Sequence, residues 1–136
     1  MKKSKFLPVY KWDDNTGRRR SNLAPWKGKA GVYLIKERGK LVYVGHSASD
    51  VYKTALRHFQ AWDDPTQLRI TYESRPWEDY TIRVVTTTAK QAPALEKALI
   101  IRHQPRDNEM KYQFYQTNAY DNQVLNTYLD TETAPF

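Results

Sequence analysis

Two short apolar runs constrain the fold of this chain more than any other feature: AGVYLI at 30–35 and LVYVG at 41–45. Between them lie Lys36-Glu37-Arg38-Gly39-Lys40, four charged residues around one glycine. Runs rich in β-branched and aromatic residues on either side of such a linker predict a β-hairpin. Side chains alternate faces along a strand, so a suitable register brings Tyr33 and Tyr43 to one side of the ribbon. Gly31 and Gly45 stand near them, and a missing side chain lets another group come close. Two phenol hydroxyls beside such glycines read as a site. Tyrosine is also frequent in strands because it packs well there, so the same pair reads as core on pattern alone.

The rest of the chain supplies elements to pack on that hairpin. His46-Ser47-Ala48-Ser49-Asp50 offers helix-capping residues, with Ser47 read as a cap. Positions 51, 55, 59 and 62 form an apolar stripe that predicts a helix over 50–62, stopped by Asp63-Asp64-Pro65. LRITY (68–72) and YTIRVVT (80–86) read as strands able to pair as a second hairpin. Thr88-Ala89-Lys90-Gln91 resembles a capping box ahead of a helix over 92–103. Pro93 leaves the start of that helix open, because proline inside a helix removes a hydrogen bond. The order ββαββα predicts an α+β domain with a small, mostly antiparallel sheet flanked by helices.

At 136 residues the chain is long enough for one domain with extensions. It has no cysteine, which excludes a disulfide framework and thiolate metal sites. No apolar stretch approaches the ~20 residues of a membrane span, and the basic start lacks the apolar core of a signal peptide. A soluble cytoplasmic protein is the expectation, with no membrane contact and no protein partner evident. Monomer and homodimer are equally open.

Charge is placed unevenly. Residues 1–30 hold nine lysines and arginines against two acids, a balance of +7 that equals the formal net charge of the whole chain. The remainder carries thirteen of each sign. Residues 1–29 therefore read as a basic arm, 30–108 as the domain, and 109–136 as a C-terminal extension. Lys11, Arg18, Arg19, Arg20 and Lys27, interleaved with Trp12 and Trp26, suit phosphate contact and base stacking.

Glu96 is the sharpest single position. Its helical neighbours at three and four residues are Ala92, Pro93, Leu99 and Ile100, all apolar. A carboxylate on that side of a helix needs a metal ion or a cation from another element. His46 ends the second strand and could face the same cleft. Asn108 closes Pro105-Arg106-Asp107-Asn108, which by itself reads as a turn.

Gly31-Val32-Tyr33 and Tyr43-Val44-Gly45 together resemble the signature of the GIY-YIG nuclease family, with valine for isoleucine in both halves. The resemblance covers about residues 30–108. It implies a central three-stranded antiparallel sheet flanked by helices and a metal-dependent DNA endonuclease. On that resemblance Glu96 binds Mg²⁺ or Mn²⁺, Tyr33 activates water, Tyr43 holds the phosphate or assists, and Asn108 holds the site together. His58 stands for the family's histidine, shuttling a proton or binding the phosphate, while Gly31, Gly45 and His46 border the DNA. The arginine usual four residues before that histidine is Thr54 here. Arg57 or Lys53, helical neighbours of each other, would take over its role, and the planar guanidinium of Arg57 suits phosphate better. A non-catalytic nucleic-acid-binding module of the same fold is the rival reading. A third is an accessory protein that binds a partner through its tyrosine-rich C-terminal stretch.

Overall fold

The hairpin of the two apolar runs forms, and the other elements pack on its two faces. The computed structural model describes residues 5–60, 71–108 and 116–128. In chain order the strands are β1 (Leu7–Pro8), β2 (Tyr10–Asp13), β3 (Arg18–Ser21), β4 (Gly31–Glu37), β5 (Lys40–Ser47) and β6 (Tyr80–Thr86). The helices are α1 (Val51–Leu56), α2 (Gln91–His103) and α3 (Ala119–Tyr128). The main sheet has the order β1-β6-β4-β5, every pair antiparallel, and β2 pairs with β3 as a separate ribbon. This is the expected α+β architecture, with β6, β4 and β5 as its three long strands. No helix among the described residues is long and apolar enough to cross a membrane.

Both faces of the sheet are covered, which is why the strands read as nearly continuous apolar runs. Tyr33, Ile35, Ile82 and Val84 face α1, packing with Val51 and Ala55. Val32, Leu34, Val44 and Val85 face α2 and α3, packing with Leu95, Leu99 and Val124. Each fully buried aliphatic side chain here contributes roughly 1.5–3 kcal/mol. A register shift between Ile35 and Lys36 leaves Val42 as the extra residue of β5. That bulge puts Val42 and Tyr43 in the same core.

Three expectations are corrected. The strand 80–86 finds no partner in Thr71 and Tyr72, which lie outside any strand, and residues 68–70 fall outside the described part. Its partners are β4 and Leu7–Pro8 from the basic segment. The helix from residue 50 tightens into a 3₁₀ turn at Arg57–Phe59, and residues 61–62 are not described. The His58 carbonyl accepts from Tyr72 N–H at 2.6 Å, and Gln60 is already extended, so the α-helical ladder ends there. Asp50, not Ser47, caps α1 by accepting from Lys53 N–H, while Ser47 Oγ accepts from the N–H groups of Ser49 and Asp50. The capping box forms as read: Thr88 Oγ1 accepts from Gln91 N–H, and Gln91 Oε1 accepts from Thr88 N–H. Pro93 follows within that first turn, where the bond it removes would go to the exposed Ala89.

Residues 5–29, read as a basic arm, are built into the fold. Val9 and Leu23 are fully buried, and β1 extends the sheet. The basic residues Lys11, Arg18, Arg19 and Arg20 remain exposed on the β2–β3 ribbon.

At one end of β4, Glu37 accepts from Arg75 and Tyr80, both at 2.7 Å, and from both terminal nitrogens of Arg106 at 3.3 Å. The Arg106 guanidinium, then the Tyr80 hydroxyl, hold the Glu37 carboxyl down to about 2. A depressed carboxyl contributes stability above its unfolded value of 4.5 and loses it as the pH falls toward 2. Glu37→Gln is therefore expected to flatten the fall in melting temperature across that acid window and to leave its neutral-pH slope unchanged. Solvent screening keeps the effect modest and salt-sensitive. Identical acid profiles for the two proteins would contradict it.

Candidate active site

Backbone geometry decides which side chains meet. Tyr33 pairs with Gly45 and Ile35 pairs with Tyr43, so both tyrosines lie on the α1 face of the hairpin. A Cβ at Gly45 would overlap the Tyr33 ring carbon Cζ and its hydroxyl. Glycine suits the position because the end of the buried Tyr33 ring fills the space a side chain would take. Gly31 meets a different demand: a Cβ there would stand 2.5 Å from the Val85 carbonyl oxygen of β6. The two glycines of the signature thus serve two close approaches, one by a ring and one by a neighbouring strand.

The rings of Tyr33 and Tyr43 stack with centroids 6.1 Å apart and planes at 28°. His58 closes the cluster. Its ring lies 4.6 Å from Tyr43, and its Nε2 is 2.7 Å from the Tyr33 hydroxyl. In the 3₁₀ turn successive side chains are about 120° apart rather than 100°, which swings His58 inward while Arg57 stays half-buried. Burial, then Tyr43, then the negative charge of Glu96 push the Tyr33 phenol well above its ordinary value. The hydroxyl is therefore neutral at physiological pH, and it shares one hydrogen with Nε2 of His58.

Glu96 approaches from α2 and is almost fully buried. His46 alternates to the α2 face of β5, and its Nδ1 bonds Glu96 Oε2. The His46 side chain is one-third exposed. Glu96 and His46 border an open cleft of about 340 Å³. Its other walls include Lys90 and Lys97 of the α2 region and Tyr120 and Asp121 of α3.

Asn108 works through the backbone. It is 1% exposed. Its Oδ1 accepts from Val44 N–H at 2.8 Å, and its Nδ2 donates to the Val44 carbonyl at 3.0 Å. β5 is the edge strand of the sheet, so one amide side chain replaces the missing neighbour and fixes the segment between Tyr43 and Gly45. Tyr72 ties the same loop to His58: its N–H binds the His58 carbonyl and its hydroxyl donates to Asp107 at 2.6 Å. Nothing in the sequence distinguished Tyr72 or Asp107, because their partners are distant in the chain.

The remaining candidates lie around this centre. Lys53 is exposed on α1, one turn before Arg57. Trp12 is 58% exposed at the β2–β3 ribbon, beside Lys11 and Arg20. Trp26 is half-buried and packs against the α1-side core, and the Lys27 ammonium lies 4.9 Å from the Tyr52 ring.

Among the described residues no three or more His, Asp or Glu side chains gather to hold a metal ion. A single carboxylate at an open cleft still fits Mg²⁺, a hard cation that prefers oxygen and keeps several waters.

Residues 29–113 match the GIY-YIG catalytic domain. No curated protein matches the chain. The match spans more than half of the sequence and contains both tyrosine strands, His58, Glu96 and Asn108, so this chain belongs to the GIY-YIG family and carries its nuclease-type fold.

Proposed function

We propose that this protein is a metal-dependent DNA endonuclease that hydrolyses phosphodiester bonds. The observation that carries the reading is the buried Tyr33–His58 hydrogen bond, stacked on Tyr43 and within the field of Glu96. An ordinary core does not need a phenol and an imidazole bonded to each other in the field of a buried carboxylate.

Tyr33 is a poor phenolate in this setting, since burial and Glu96 both oppose the charge. The proton path therefore runs through it. The hydroxyl takes a proton from the attacking water as its own proton passes to Nε2 of His58. Tyr43 holds the phosphate in line. Glu96 would hold Mg²⁺ or Mn²⁺, oriented by His46; when bound, the ion neutralises charge on the scissile phosphate and the leaving oxygen. Arg57, with Lys53 one turn away, faces the charge that develops on the phosphate oxygens. The exposed cations of the β2–β3 ribbon, with Trp12, supply salt-dependent affinity for the DNA backbone. A binding module without activity is the second reading, favoured by Thr54 at the position of the usual arginine.

Supercoiled plasmid incubated with Mg²⁺ or Mn²⁺ is expected to be nicked, and EDTA or Glu96→Gln to abolish the nicking. Retarded but uncut plasmid with the wild-type protein in both metals would favour the binding module instead. In either case affinity is expected to fall steeply from 50 to 200 mM salt, by about 10³-fold for roughly six phosphate contacts.

A further inference from the structure

The whole of α3 lies beyond the family match, yet it forms one wall of the cleft that opens on Glu96. Asn118 and Asp121 bond each other's backbone N–H groups at its start. Asp121 also binds Lys97 of α2 at 2.6 Å. Val124 and Leu125 pack the helix onto α2. These contacts hold Tyr120, the second residue of α3, at the mouth of the cleft. Tyr120 is 37% exposed, and with Trp12 it is one of two exposed large hydrophobic residues among the described residues. The Lys90 ammonium sits 5.3 Å from its ring centroid.

We infer that Tyr120 and Lys90 form a subsite for an unpaired nucleotide next to the scissile phosphate, Tyr120 stacking the base and Lys90 binding its phosphate. The inference rests on the nuclease reading of Glu96 and adds a substrate class to it. An exposed aromatic ring beside a cation is the pairing that single-stranded nucleic acids use, because every base has a π-face and every link a charge. The base must be unpaired: within a duplex both of its faces are already stacked. The flexible lysine leaves the ring when a base arrives and moves onto the phosphate at the same step. A cleft of about 340 Å³ is at the lower end of the range for small-molecule sites, suited to one nucleotide rather than a duplex. The preferred DNA therefore carries a single-stranded flank or branch beside the cut.

Fluorescence anisotropy in EDTA reads this without cleavage. The probes are a fully paired duplex and the same duplex with a single-stranded flank. Wild-type protein is expected to prefer the flanked DNA, and Tyr120→Ala to lose that preference by about 5- to 100-fold while its duplex affinity holds. Tyr120→Phe is expected to retain it, and Lys90→Gln to lower the salt slope for the flanked DNA by about 0.7. An unchanged ratio of affinities in Tyr120→Ala overturns the subsite and leaves the nuclease reading intact. Failure of the wild-type protein to bind either DNA overturns both.

Discussion

Tyr33→Phe is expected to lower the cleavage rate by about 10²–10⁴-fold with little change in DNA affinity. The substitution keeps the ring that packs against Gly45 and stacks on Tyr43, and removes only the hydroxyl that bonds His58. The loss should therefore fall on kcat rather than KM. A double-mutant cycle with His58→Gln adds a sharper requirement. If Tyr33 and His58 pass one proton in sequence, the double variant is no slower than the worse single variant, because the second change removes a step already lost. Independent, additive losses would mean that the two residues act separately and that the 2.7 Å contact is only packing. Near-wild-type cleavage by Tyr33→Phe would remove the tyrosine from the reaction altogether.

The hairpin and both tyrosines were legible in the sequence because their signals are local. Strand alternation and a short linker determine which face each residue takes. Glu96 was legible for a similar reason, since helical neighbours can be counted along the chain. The non-local features were hidden. The outer edge of β6 is taken by Leu7–Pro8, about seventy positions away, and no periodicity announces a two-residue strand. The 3₁₀ turn that aims His58 depends on Tyr72, whose N–H takes the carbonyl an α-helix would have used. His46 was placed in the cleft by its proximity to Gly45. Alternation sends it to the α2 face, where it borders the cleft and bonds Glu96. Composition suggests Trp26 for base stacking, and no local signal shows that it packs against the core near the buried Leu23. Tyr120 carried no signal, since its cleft exists only where α3 packs on α2.

Asn108→Ala is expected to destabilise the fold by about 2–6 kcal/mol. It strips hydrogen-bond partners from two Val44 backbone groups in a buried setting, each worth roughly 1–3 kcal/mol when left unmade. Against a domain stability of about 5–15 kcal/mol, that is a large share. Urea unfolding should show a lower midpoint at unchanged slope. Asn108→Asp separates the two bonds: it can still accept from Val44 N–H but cannot donate to the Val44 carbonyl, and it sets a carboxylate against that oxygen. Aspartate should therefore rescue little of the loss. A midpoint within the equivalent of about 0.5 kcal/mol of wild type for Asn108→Ala would mean that water replaces the amide and the β5 edge needs no surrogate strand. The same bonds hold the backbone between Tyr43 and Gly45, so what stabilises the edge also positions the tyrosine pair. Asn108→Ala is accordingly expected to lose activity even at temperatures where it remains folded, which links the edge of the sheet directly to the chemistry.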